Sequence, residues 1–122
     1  MPTSRFETEV RLDPGIAVVA LQGDIDREAE SGLAAAYLAT SGAPVILLDF
    51  TSVGYINSTG IALIVRFLAD GRRDRREIRA CGLSPHYAEI FQLTRLSDYM
   101  RIFDDPASAT GVTTGEMTGG RT

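Results

Sequence analysis

The 122-residue chain contains no lysine; all 12 of its basic residues are arginines. That absence excludes lysine-dependent chemistry: P-loop phosphate binding, Schiff-base catalysis and kinase catalysis. The single cysteine excludes a disulfide framework and a multi-thiolate metal site. The single histidine excludes a two-histidine zinc motif. Tryptophan is absent as well. No run approaches the roughly 18 apolar residues that a membrane span requires. The opening Met1-Pro2-Thr3-Ser4-Arg5-Phe6-Glu7 holds no apolar signal core, so the expected address is cytoplasmic. Sixteen acidic residues against 12 basic ones leave a net charge of −4. This balance argues against non-specific binding to nucleic acid or membrane.

What is present suits one globular domain. Hydrophobic residues make up 44% and charged residues 23% of the chain. A chain of this length buries roughly two thirds of its unfolded surface, enough for a core without staples. Phe6 to Leu12 alternates, with Phe6, Thr8, Val10 and Leu12 on one face and Glu7, Glu9 and Arg11 on the other. This predicts a half-exposed strand near an edge. Asp13-Pro14-Gly15 is a turn signal. Ile16 to Leu21 is apolar on both faces, as in an interior strand.

Asp26 is a candidate N-cap for a helix over Arg27 to Thr40, stopped by Ser41-Gly42-Ala43-Pro44. Val45 to Leu48 is a second doubly buried strand, closed by Asp49, and Thr51 to Asn57 reads as a loop. Asn57-Ser58-Thr59-Gly60 opens a second helix with a core face of Ile61, Ile64, Val65 and Leu68. Gly71 is its expected C-cap. A charged turn, a short strand Ile78–Cys81, and a helix capped by Ser84 with Pro85 at its first position follow. Tyr99 to Phe103 reads as a last strand, and Asp105-Pro106 opens a short final helix. The domain spans residues 1–109. The Gly/Thr-rich tail, 110–122, has little to bury and is expected to be disordered.

The order β-β-α-β-α-β-α-β predicts an α/β single domain with a mixed β-sheet of four to five strands and packed helices. Strands separated by helices pair in parallel through right-handed crossovers. The carboxyl ends of the second and third strands then share one side of the sheet, where ligand sites of open α/β sheets lie. Asp24, Asp26, Asp49, Asn57, Ser58 and Thr59 are the candidate rim residues.

Three functions suit such a rim. A receiver-type phosphoacceptor would use Asp49 with magnesium on Asp24 and Asp26, but it needs a lysine. A haloacid-dehalogenase-type phosphatase would use Asp24-Ile25-Asp26. Its later lysine is also missing, and a helix N-cap explains the pair more simply. The third function is a modification switch. Ser58 and Thr59 stand at a helix mouth, where unpaired amides and the helix dipole favour an anion. A phosphate would add roughly −1.5 to −2 charges there. No nucleophile elbow surrounds Ser58, and His86 lies in the third helix, so Ser58 is not read as a catalytic nucleophile. Plain N-capping by Asn57 is compatible with this switch.

Three blocks carry a family resemblance. They are Leu21-Gln22-Gly23-Asp24-Ile25-Asp26; Val45 through Asp49-Phe50-Thr51-Ser52-Val53-Gly54-Tyr55-Ile56-Asn57-Ser58-Thr59-Gly60-Ile61; and Gly82-Leu83-Ser84-Pro85 with Phe91-Gln92-Leu93-Thr94-Arg95-Leu96. In order and spacing, over about residues 6–105, the chain resembles the STAS domain family and, within it, bacterial anti-sigma-factor antagonists. The resemblance implies a partner-switching protein that is not itself an enzyme and carries no cofactor or metal. It implies that the unphosphorylated chain binds an anti-sigma factor that is also a serine kinase, that the kinase phosphorylates Ser58, and that a metal-dependent phosphatase reverses this. Thr59 is the second candidate acceptor. Asp24, Asp26, Asn57, Thr59, Gly60 and Leu63 form the expected surround and partner interface. The sequence departs from the family pattern at Asn57, where an aspartate precedes the acceptor, and at Arg95, where glycine is common. A STAS scaffold or accessory subunit without a phospho-switch, in a stress-signalling assembly or beside a lipid-transport ATPase, is the alternative.

Arg66, Arg72, Arg73, Arg75, Arg76 and Arg79 cluster around the end of the second helix. They read as a solvated turn, with a docking patch for an acidic partner or phosphate as the alternative. Leu63 and Phe67 are expected to complete the core, and Cys81 to be a small buried hydrophobe.

Overall fold

A computed structural model of the protein describes residues 5–111. Strands β1 (Glu7–Asp13) and β2 (Ile16–Ile25) form an antiparallel hairpin. A 3₁₀ turn at Arg27–Ala29 leads into α1 (Glu30–Ala39). Then follow β3 (Val45–Ile56), α2 (Ser58–Arg73), β4 (Glu77–Cys81) and α3 (Pro85–Leu93). A 3₁₀ turn at Leu96–Asp98, β5 (Arg101–Phe103) and α4 (Pro106–Thr110) complete the described chain. The strands lie in sequence order, β1-β2-β3-β4-β5, and every pair after the hairpin is parallel. The mixed five-strand sheet expected from the element order is therefore present.

Alternation along β2, β3 and β4 divides the core in two. Val19, Leu21, Ile46, Leu48, Phe50, Ile78 and Ala80 face α1, α2 and α3, whose Leu33, Ala36, Ile64, Phe67, Leu68 and Phe91 complete the larger cluster. Ile16, Val18, Val45, Leu47 and Cys81 point to the other face, where Ala109 of α4 covers them. Phe67 is a core residue, edge-on to Tyr37 at 5.1 Å between centroids.

Three sequence expectations are corrected. First, β3 does not end at Asp49; it runs seven residues further, through the segment read as a loop. Thr51, Ser52 and Gly54 look like turn residues because this stretch is largely solvent-exposed, yet it still pairs with an extended β2. Register shifts at Ala20/Gln22 and Gly23/Ile25 accommodate the irregularity. Second, Gly71 is not a C-cap. It lies within α2, buried, where an added Cβ would come 2.8 Å from the Ile78 side chain. The left-handed residue after the helix is Arg75, at φ 60°. Arg95 likewise adopts φ 68°, so α3 closes without the glycine that usually serves there.

Third, the arginine cluster is not one solvated turn. Arg79 is 1% exposed. It donates to Glu77 at 2.7 Å and to the Ala109 carbonyl at 2.6 Å, tying α4 to the sheet. A buried cation requires such partners. Arg76 donates to the Ala43 carbonyl at 2.7 Å and to Thr40, and lies over the Tyr37 ring. Arg66 and Arg73 behave as expected, pairing with Glu30 and with Asp70 and Asp74 at the surface.

Cys81 is fully buried, as its sequence context predicts. Desolvation, reinforced by the Asp49 carboxylate, pushes its thiol from the ordinary 9.0 up to about 12. Between those values the unfolded chain loses the thiol proton and the folded chain keeps it, so stability falls as pH rises. Denaturant midpoints are expected to decline less from pH 9 to pH 11 in Cys81→Ala than in the parent protein. Equal slopes in the two would contradict this assignment.

Candidate functional site

The site forms where β2 and β3 end side by side. Ile25 pairs with Ile56. One residue later the Asn57 N–H donates to the Ile25 carbonyl at 3.2 Å. Asn57 is extended, and its Oδ1 accepts from the Gly60 N–H at 2.8 Å, capping α2. The first intrahelical bond runs from the Ile61 N–H to the Asn57 carbonyl at 2.9 Å. The amides of Ser58 and Thr59 therefore lie ahead of the helical ladder, at its positive end. Both residues are exposed.

Gly60 explains why this turn is so tight. A Cβ there would overlap the Ile25 carbonyl oxygen and come 2.8 Å from its carbon. The helix mouth rests directly on the end of β2, and only a residue without a side chain permits that approach. Asp24 occupies the same end of the sheet, with its Oδ1 2.9 Å from where a Cβ on Gly54 would stand. Asp26 Oδ1 accepts from the Glu28 N–H at 2.9 Å and caps the 3₁₀ turn before α1. Its capping role is thus the one weighed against phosphatase chemistry from sequence. Asp24, Asp26, Asn57, Ser58 and Thr59 are all brought to one rim.

Asp49 is not among them. It lies mid-strand, opposite Ala20 and Cys81. Its carboxylate accepts from the Thr51 N–H at 2.9 Å and the Thr51 hydroxyl at 2.5 Å. The strand continues past it, which removes it from the carboxyl edge. Leu63 is half-buried against the main core and lines a groove between α1 and α2 with Arg27, Arg66 and Phe67. Among the described residues, no group of three or more His, Cys, Asp or Glu side chains is placed to hold a metal ion. Among those residues, no helix is long and apolar enough to cross a membrane.

Two features of the site were not anticipated. Tyr55, just ahead of Asn57, is exposed and adds an aromatic surface beside the rim. Tyr87 of α3 is buried, and its hydroxyl oxygen accepts from the Ile56 N–H at 2.8 Å. No local signal marks a hydrogen bond across 31 residues of sequence.

Because Asn57 acts as a cap, Asn57→Ala is expected to cost about 1 kcal/mol, whereas Asn57→Asp holds stability within a few tenths. Chemical denaturation of the two variants measures this. Equal losses in both would rule out capping as the role of the side chain.

The architecture and its rim define a small mixed-sheet α/β domain that displays two hydroxyls at the mouth of a helix. The chain belongs to the STAS domain family, whose family model matches residues 7–109. Over 58 residues it is 34% identical to the anti-sigma-B factor antagonists of Listeria monocytogenes and Listeria innocua, covering 48% of this chain and 51% of each relative. The matched stretch thus spans about half the length of these curated relatives. An anti-sigma factor antagonist from Mycobacterium paratuberculosis shares the fold at TM-score 0.74 and 19% identity, covering 88% of this chain and 92% of that one. The unphosphorylated form of the anti-sigma factor antagonist SpoIIAA matches at TM-score 0.66 and 18% identity, over 87% and 94% of the respective chains.

Proposed function

We propose that this domain is an anti-sigma-factor antagonist whose partner binding is switched at Ser58. The observation that carries this reading is the Asn57-capped mouth of α2, where an exposed Ser58 stands at the positive helix end, against the end of β2 whose Ile25 is flanked in sequence by Asp24 and Asp26. The partial likeness to proteins named anti-sigma-B factor antagonists supports it. In this reading the unphosphorylated rim binds a cytoplasmic anti-sigma-factor serine kinase. Phosphate on Ser58 adds roughly −1.5 to −2 charges to an acidic surface and breaks that contact. A metal-dependent phosphatase restores it. Thr59, one position further into the helix, is the secondary acceptor, and Leu63 belongs to the docking surface; Gly60, expected there from sequence, is instead buried against the Ile25 carbonyl and holds the turn rather than meeting a partner. The functional unit is residues 1–109; residues 112–122 of the tail lie outside the described structure.

The replacement of a family-typical aspartate by Asn57 supports a second reading, in which the domain is a scaffold or accessory subunit without the switch. One experiment separates the two. The protein is incubated with its cognate kinase and ATP, and the modified residue is mapped by mass spectrometry. Phosphate on Ser58 is the expected result. Phosphate on neither Ser58 nor Thr59 would sink the switch and leave the scaffold reading.

A further inference from the structure

β3 outruns its neighbour. The β3–β4 ladder ends at Asp49 opposite Cys81, while β3 continues to Ile56. Over its last seven residues the strand has β2 on one side and no β4 residue on the other. Backbone groups left open in this way need other partners when buried. At Ile56, the final residue and itself buried, the partner is Tyr87 of α3. The phenolic oxygen accepts from the Ile56 N–H at 2.8 Å, and the same hydroxyl lies within donating distance of the Ile56 carbonyl at 3.4 Å. A single side chain thus takes both backbone groups of the residue that precedes Asn57. The α3 helix that carries it is fixed in turn: Ser84 caps its start, and Phe91, fully buried, packs edge-on against Phe50 of β3 at 5.8 Å.

We infer that Tyr87 is a positioning residue for the Ser58 switch, acting through the Ile56 backbone. This rests on the reading of Ser58 as the phosphorylation acceptor. Besides the Asn57 cap itself, backbone N–H groups on either side of the turn from β3 into α2 tie it to two other elements. One bond runs from the Asn57 N–H to the Ile25 carbonyl, and the other from the Ile56 N–H to Tyr87. The first ties the turn to β2. The second substitutes for the missing β4 residue and ties the turn to α3. Removing the hydroxyl leaves the ring in the core and the strand in place, but frees the Ile56 peptide to rotate. Ser58, two residues on, then samples orientations that a kinase cannot use. Displacement of a reacting group by about 1 Å lowers turnover by up to roughly a hundredfold. Docking of the whole rim depends on many other contacts and changes far less.

The test compares Tyr87→Phe with Phe91→Leu, a core substitution on the same helix that loosens packing but removes no hydrogen bond to the Ile56 backbone. Both are first shown by circular dichroism to be folded at the assay temperature. With the cognate kinase and ATP, Tyr87→Phe is expected to lower kcat for Ser58 phosphorylation at least about fivefold, with KM within a factor of two. Phe91→Leu is expected to change neither. In the same proteins, exchange of the hydrogen-bonded amides of Ile56, Asn57 and Gly60 is expected to quicken in Tyr87→Phe only.

An unchanged kcat in Tyr87→Phe, or an equal fall in both variants, would overturn the inference and leave the Ser58 reading standing. Absence of Ser58 phosphorylation in the parent protein would overturn that reading instead. Exchange then decides whether Tyr87 holds this turn: acceleration at Ile56, Asn57 and Gly60 in Tyr87→Phe only supports it, and no difference between the variants overturns it.

Discussion

Gly60→Ala is expected to destabilise the protein by at least about 2–3 kcal/mol, the upper range for overpacking a tight site. The reason is backbone geometry. A Cβ at this position meets the Ile25 carbonyl itself and also comes 3.0 Å from the Ile56 side chain. A flexible side chain can turn away from a new methyl group; a carbonyl inside a strand can do so only if the strand moves. Ile25 cannot move freely, because it pairs with Ile56 and its carbonyl accepts from Asn57. The variant must lift the first turn of α2 off the sheet, weakening the Asn57 cap at the same time. For a domain of this size the loss corresponds to roughly 10 °C in melting temperature. Gly54→Ala is the control. Its Cβ would meet only the tip of the Asp24 side chain at 2.9 Å, which can rotate, so a loss under about 1 kcal/mol is expected. Thermal denaturation of the two variants side by side provides the measurement. Comparable melting temperatures would show that α2 does not rest on β2 as described.

Ser58→Asp carries the second large effect, on binding. An acidic group at the first position of α2 is favourable to the helix dipole by about 0.3–1 kcal/mol, so the fold should be unharmed. Under the proposed switch, affinity for an anti-sigma-factor kinase is expected to fall at least tenfold, equivalent to about 1.4 kcal/mol. The charge enters a rim that already holds Asp24 and Asp26, and a partner matched to the neutral hydroxyl meets uncompensated repulsion. Ser58→Ala should bind as the parent does and fail to accept phosphate there. Isothermal titration calorimetry against the purified kinase, paired with melting curves, separates the two effects. Undiminished binding by Ser58→Asp would mean that the partner docks elsewhere. A loss of affinity matched by a loss of stability would point to a folding defect instead.

The helix capped at Asn57 and the one opening at Ser84-Pro85 were legible because capping is local. A polar oxygen reaching an amide two or three residues away leaves its mark in consecutive letters. The buried strands Ile16–Leu21 and Val45–Leu48 were legible for a similar reason, since a strand covered on both faces must be apolar throughout. The second half of β3 was not. Thr51, Ser52 and Gly54 carry no apolar alternation, and only β2 holds them in a strand. Nor could residue type separate Arg79, buried against Glu77 and Ala109, from the exposed Arg66 and Arg73.

Local chemistry therefore settled where α2, α3 and α4 start, which strands are interior, and that hydroxyls stand at a helix mouth; the start of α1 it placed one 3₁₀ turn too early, at Arg27 rather than Glu30. Those properties depend on neighbours within a few positions of one another. The contacts that decide how the mouth is held depend on segments 31 or more residues apart: Gly60 against Ile25, Ile56 against Tyr87, and Asp49 left in mid-strand. Such contacts come into being only when β2, β3 and α3 pack together, because hydrogen bonds and steric limits act through space and leave no periodicity along the chain.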